Sequence, residues 1–234
     1  MTESQHSVFR PVRFLEAGRP QGAAELGGVL IHGRYRTPQE MVYLASRMAV
    51  DDIRWIAPSA GHDRTWYPGV FMAPLPSNEP YVSNAIKVID QSVDRAAEAG
   101  RGEAGRLGAR HLVMVGFSQG ACLTAEYALR HPGRCSTMVI FTGGLFGPPG
   151  TVWEGTPEML SGTRVLITGS DVDDWIPEAR VHETASVLTG FGAQVTTRIY
   201  PGRAHEVSDA ELTEAGAFIA AALTEDATSH SHIR

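Results

Sequence analysis

The chain has 234 residues, with 20 basic and 26 acidic side chains and a formal charge of −6. Hydrophobic residues make up 43% and charged residues 20%, a globular composition long enough to bury a sizeable core. The acidic balance gives a nucleic-acid partner no electrostatic support, because the basic residues are spread along the chain and form no run.

In chain order, Met1–Ser7 is polar, lacks the basic-then-apolar order of a secretory leader, and reads as a disordered N-terminus. A single α/β domain is expected over 8–223, with strands at Val8–Leu15, Gly28–Ile31, Ile53–Ala57, Leu112–Gly116, Thr137–Phe141, Arg164–Thr168 and Thr196–Tyr200. Between them, helical patterns cover Pro38–Val50, Tyr81–Ala99, Gln119–Arg130, Pro177–Thr189 and Asp209–Leu223. Thr37-Pro38 is a helix-start signal, a capping hydroxyl before proline. His131-Pro132-Gly133 and Gly190 are stops. Such alternation predicts a mostly parallel central sheet with helices on both faces, and the continuous apolar strands fit that doubly covered position.

Two stretches break the rhythm. Ser59–Pro80 and Gly143–Ser161 are rich in Gly and Pro and too long for simple connectors. Residues 224–234 read as a flexible polar tail. The longest apolar runs, such as Leu112–Val115 and Met138–Phe141, fall far short of the roughly 20 residues that span a bilayer. Cys122 and Cys135 sit in neither a CxxC nor a Cys/His ligand spacing, so they read as two free thiols in a cytoplasmic protein with no metal site.

The chemistry concentrates at Gly116-Phe117-Ser118-Gln119-Gly120-Ala121, between an apolar strand and an amphipathic helix. This Gly-x-Ser-x-Gly spacing in a strand–turn–helix context is a nucleophile elbow. The flanking glycines let backbone pass close to the turn, and the helix starting at Gln119 aims its N-terminal N–H groups at developing negative charge. A serine needs a base oriented by a third group. In this arrangement the acid and then the histidine follow the serine, each after a later strand. His205, in the loop Pro201–Glu206, is the one histidine placed for that role; His182 lies within a helix, and His230 and His232 belong to the tail. The acid is expected after Arg164–Thr168, where Asp171, Asp173 and Asp174 all stand. Gln119 N–H and Arg34 N–H, the latter after His32-Gly33, are the candidate oxyanion donors. His32 precedes the nucleophile and reads as a packed loop residue.

Leu30-Ile31-His32-Gly33, the Gly-Phe-Ser-Gln-Gly-Ala string, Asp173-x-x-Ile176-Pro177 and His205-Glu206 together resemble the phospholipase/carboxylesterase family of α/β hydrolases. That family includes bacterial carboxylesterases, lysophospholipases and acyl-protein thioesterases. The resemblance runs from about Gly28 to Leu223. It implies an α/β-hydrolase fold without a large cap domain, an ester or thioester substrate, no metal or organic cofactor, and often a homodimer. The family's acid usually lies four residues before a proline and three after a glycine. Here the first spacing gives Asp173 and the second gives Val172, as though one residue had been inserted. Asp173 is therefore the acid the resemblance favours, ahead of Asp174 and Asp171.

Tyr35 departs from the small residue usual after the His-Gly-x turn, and either narrows the pocket, offers a hydroxyl to substrate or covers the sheet edge. Trp66, Tyr67 and Phe71 resemble the family's active-site loop, and with Phe146 and Trp175 they complete the candidate substrate wall. Leu145 and Trp153 are weaker candidates of the same kind. The same aromatics also suit a satellite cluster beneath the loops.

The expected function is a serine carboxylesterase acting on a small-molecule ester or thioester, with a lysophospholipase or acyl-protein thioesterase as the alternative. The dienelactone-hydrolase branch uses a cysteine nucleophile, whereas position 118 is serine and Cys122, one helical turn on, is expected to face the core. A non-catalytic small-ligand-binding protein on the same fold predicts a broken triad, and this chain carries a full set. A purely structural module has only the family's dimer habit in its favour.

Overall fold

The computed structural model describes residues 12–229 apart from 62, 100–107 and 109–110. Seven strands form one sheet: β1 (Phe14–Gly18), β2 (Leu26–Ile31), β3 (Ile53–Pro58), β4 (Leu112–Phe117), β5 (Thr137–Phe141), β6 (Arg164–Gly169) and β7 (Gln194–Ile199). Their spatial order is β1-β3-β2-β4-β5-β6-β7. Only β1 runs antiparallel to its neighbour; the other five pairings are parallel.

Five α-helices cover the sheet: α1 (Pro38–Arg47), α2 (Tyr81–Glu98), α3 (Gln119–Arg130), α4 (Glu178–Gly190) and α5 (Asp209–Ser229). Alternate residues of each central strand go to opposite faces, as the two-residue strand period requires. Met114, Ile140 and Ile167 join α2, α3 and α4 in one core. Val113, Val115, Val139 and Leu166 join α1 and α5 in the other. Both faces of these strands are covered by helices, so the apolar runs read from the sequence are central parallel strands.

Most element boundaries agree with expectation within two residues, and the exceptions have local causes. Part of the strand expected at Val8–Leu15 lies outside the described residues, and the observed strand continues to Gly18. It is an edge strand with alternating exposure, and its Glu16 and Gly18 conceal its end in the sequence. α1 stops at Arg47, short of the expected Val50, because Ala49 takes φ 53°. A left-handed alanine ends the helix where glycine is the usual signal. At the helix start the expected cap is present as a reciprocal pair: Thr37 Oγ1 accepts from Glu40 N at 3.3 Å, and Glu40 Oε2 accepts from Thr37 N at 2.7 Å. α5 runs to Ser229, so residues 224–229 are helical where a flexible tail was expected; 230–234 lie outside the described residues.

α5 crosses the C-terminal end of α1 at Gly216. A Cβ there would collide with the Met48 carbonyl, whose carbon would stand 2.9 Å away. Glycine-to-alanine in a helix interior normally stabilises by up to about 1 kcal/mol. Here the sign should reverse. Gly216→Ala is expected to cost about 1–3 kcal/mol, the usual range for overpacking, read as a lower denaturation midpoint in urea with an unchanged slope.

Candidate active site

β4 leads straight into α3 through Ser118, whose backbone sits at φ 55°, ψ −117°. That is strained for a residue with a Cβ. It lifts the hydroxyl out of the sheet edge, and the neighbours make room. A Cβ on Gly116 would strike the Gly120 carbonyl and Thr124 Oγ1. A Cβ on Gly120 would strike the Ile31 carbonyl and come within 2.8 Å of His32 O. The end of β2 thus lies directly against the first turn of α3, and a Cβ on Gly33 would stand 3.1 Å from Ser118 Cβ. This close approach brings the His32-Gly33-Arg34 turn beside the serine.

His205 Nε2 is 2.9 Å from Ser118 Oγ. On its other side His205 Nδ1 lies 3.0 and 2.9 Å from Asp173 Oδ1 and Oδ2. The Asp173 carboxylate is fully buried and accepts two further bonds, from Trp175 N at 2.8 Å and Ile176 N at 3.0 Å. Of the three aspartates after β6, only Asp173 meets the histidine. Asp171 Oδ1 instead accepts from Gly202 N at 2.7 Å, which ties the loop after β6 to the loop after β7. Asp174 is exposed on the pocket rim.

The loop bearing His205 is held by buried charge. Arg203 donates to Ala204 O and Glu206 O, on either side of the histidine, at 2.5 and 2.6 Å, and to Thr142 Oγ1 at 2.6 Å. Its Nε lies 3.0 Å from Glu211 Oε2, an ion-pair contact too oblique for a hydrogen bond. Glu211, fully buried in α5, also accepts from Thr168 Oγ1 at 2.6 Å and from Ser208 N at 2.8 Å. Glu211 therefore anchors β6 and caps α5 at once.

Ser118 and His205 open onto a pocket of about 660 Å³. Arg34, Tyr35, Tyr67, Phe71, Gln119 and Trp175, all expected site residues, line it. Trp66 and Phe146 do not, which corrects the expectation for both. Trp66 turns inward to donate from Nε1 to His32 O at 2.8 Å. Phe146 lies behind the wall, edge-on to Tyr67 with ring centroids 4.9 Å apart. Leu145 is buried too, and Trp153 donates to Phe146 O beneath the guanidinium of Arg180.

Val70, Met72, Phe117, Ile176 and Pro177 also line the pocket; Phe117, Ile176 and Pro177 stand in the motifs that carry the resemblance, but none of the five was expected as part of the wall. The 66–72 segment is positioned by polar side chains from elsewhere. Arg34 Nη2 donates to Tyr67 O and Gly69 O at 3.2 and 2.6 Å. Gln119 accepts from Trp66 N and donates to Tyr67 O at 3.1 and 2.8 Å. These side chains brace the wall, while the Gln119 N–H, in the first turn of α3, is one of the donors a helix leaves unpaired.

Cys122 was expected to face the core, and it is buried. It nevertheless contributes to the pocket floor beside Tyr67. Burial pushes its thiol up to about 11, so it is a protonated, weakly nucleophilic group at neutral pH. Among the described residues no group of three His, Cys, Asp or Glu side chains could hold a metal ion.

His32 is held as a neutral ring. Its Nε2 accepts from Ala60 N at 3.1 Å, which leaves Nδ1 to donate to Gly33 O at 2.7 Å. Burial lowers its pKa from the usual 6.5.

A serine at an elbow, bonded to a histidine that is bonded in turn to a buried carboxylate, all at the C-terminal edge of a parallel sheet, defines the α/β-hydrolase class. The phospholipase/carboxylesterase family profile matches residues 24–223, and the chain belongs to that family. It is similar to a phospholipase/carboxylesterase from Dyadobacter fermentans, at 30% identity and a TM-score of 0.80, over 91% of this chain and 98% of that one. The fold is shared with esterase PE8 (24% identity, TM-score 0.71, 90% and 98% coverage). It is shared also with the Bacillus cereus carboxylesterase (17%, 0.71, 91% and 95%). No curated protein sequence matches the chain.

Two predictions follow from the buried groups around the site. Arg203→Met leaves Glu211 as an unpaired buried charge, and should cost about 3–5 kcal/mol in chemical denaturation. The second concerns His32. The unfolded chain takes up a proton on this ring as pH falls through 6.5, whereas the folded chain resists it, so the fold loses stability on the acid side. The stability gap between wild type and His32→Asn should therefore narrow between pH 7 and pH 5, measured by urea unfolding at each pH.

Proposed function

We propose that the protein is a serine hydrolase that cleaves a carboxylic ester or thioester through an acyl-enzyme intermediate. The observation that carries this reading is the continuous hydrogen-bonded line from Ser118 Oγ through His205 to the buried Asp173 carboxylate, at 2.9 Å on each side of the imidazole. Family membership supports the ester-hydrolase chemistry.

In the proposed mechanism His205 Nε2 takes the Ser118 proton as Oγ bonds to the substrate carbonyl carbon. The resulting oxyanion is met by the N–H groups of Gln119 and Arg34. His205 then gives its proton to the departing alcohol or thiol as the carbon–heteroatom bond breaks. Water enters, loses a proton to the same nitrogen, and releases the acid by the reverse sequence. Asp173 fixes the imidazole tautomer through Nδ1–H and stabilises the imidazolium. Its own orientation comes from the Trp175 and Ile176 N–H groups, so the acid is fixed before substrate arrives.

The protonated Cys122 does not compete with Ser118 as nucleophile, which argues against a cysteine-dependent lactone hydrolase. Two buried free thiols fit a reducing cytoplasmic setting. Among the described residues no helix is long and apolar enough to cross a membrane.

A fluorophosphonate probe should label wild type and leave Ser118→Ala unlabelled; equal labelling of the two would remove Ser118 as nucleophile. Asp173→Asn should keep the site's geometry while lowering kcat by about 10⁴ in p-nitrophenyl acetate hydrolysis, through the wrong imidazole tautomer. Asp174→Asn should change it by less than about tenfold.

A further inference from the structure

The pocket is far richer in aromatic side chains than the chain is. Tyr35, Tyr67, Phe71, Phe117 and Trp175 are five of its seventeen lining residues, against 8% aromatic residues overall. Tyr67, Phe71 and Phe117 are buried and form the inner wall. Tyr35 and Trp175 are 61% and 71% exposed and stand on the rim, with Val70 at 65% between different loops of the same mouth. Among the described residues seven large hydrophobics are exposed, and these three belong to one opening.

Both rim aromatics stand on fixed backbone. Tyr35 occupies φ 60°, a conformation that glycine takes freely and tyrosine takes at a cost. Its N–H is fixed to Arg64 O at 2.8 Å. The Trp175 backbone N–H donates to Asp173, so the main chain that carries the indole is fixed by the same carboxylate that orients His205. Its ring centroid lies 6.3 Å from that of the imidazole. An expensive backbone and two exposed rings beside the reacting atoms call for a partner that uses ring faces. An alkyl chain gains only burial there, whereas a planar ring also gains the offset-stacked or edge-on geometry that aromatic pairs prefer.

We propose that this site takes aromatic esters, with the substrate's ring held at the mouth between Tyr35 and Trp175 and against the inner aromatic wall. This deepens the serine-esterase reading and rests on it. The ring sits on either the acyl or the alcohol side of the bond, and matched substrates separate the two. Ethyl phenylacetate and ethyl cyclohexylacetate carry the same alcohol and differ in having an aromatic or a saturated acyl-side ring. Benzyl acetate and cyclohexylmethyl acetate make the same comparison on the alcohol side. In each pair the leaving groups are of similar basicity.

With rates normalised to probe-titrated active sites, kcat/KM should favour the aromatic member about tenfold or more in one pair. Tyr35→Gly and Trp175→Ala should each bring that ratio toward one, while Tyr35→Phe, which keeps the ring, preserves it. A wild-type ratio near one in both pairs would overturn the proposal. So would a preference that survives the two truncations combined, or an enzyme that takes the fluorophosphonate yet cleaves none of the four esters. Absence of both labelling and turnover would overturn the serine-hydrolase reading itself, and the substrate assignment with it.

Discussion

The arrangement at the sheet edge depends on how closely α3 can approach the end of β2. Gly120 has no side chain, so the first turn of α3 rests against the Ile31 and His32 carbonyls. Any larger residue would push the helix away and carry Gln119 and Ser118 with it. Because β2, β4, β5 and β6 are parallel, their C-terminal ends lie together. The turns that follow them therefore converge on the same place, which is where ligands of open α/β sheets are bound. The strained backbone of Ser118 persists because strand, helix and the 32–34 turn determine it from three sides.

Around that contact several buried polar side chains are devoted to loops. Arg34 and Gln119 bond the carbonyls of the 66–72 segment, Asn78 bonds Gly69 and Val70 within the same loop, and Arg180 bonds Leu145 and Gly147. Each replaces water on a backbone carbonyl or N–H that pairs with no strand or helix. Long segments that look like connectors in the sequence are thereby made into walls.

Much of the fold was legible because periodicity and punctuation agreed. The β4–elbow–α3 unit carries its glycines at positions where steric contact demands them, and Thr37 caps α1 as its place before Pro38 suggests. The two helix ends misjudged lacked a conventional mark: Ala49 ends α1 in a glycine-like conformation, and residues 224–229 extend α5 with little apolar content. In the site, chain order and strand context were enough to bring Ser118 and His205 to one place. Choosing among Asp171, Asp173 and Asp174 from residues alone was not possible. What separates them is which carboxylate the following turn buries and supplies with two N–H donors, and that depends on the path of the loop. The pocket wall was least legible. Trp66, Phe146 and Tyr67 are similar in composition, yet the first two turn inward and only the third lines the cavity, for reasons set by hydrogen bonds to residues far away in sequence.

The Arg203–Glu211 pair links the histidine loop to β5 through Thr142, to β6 through Thr168, and to the start of α5 through Ser208. A loop tied to three core elements has no cheap local opening of its own. Its attachments at Arg203 can part only when those elements separate, which places the anchored part of the loop in the same cooperative unit as the central strands. The histidine is thus kept in register for as long as the domain is folded. On heating, the arrangement around Ser118 should fail together with the sheet and not ahead of it.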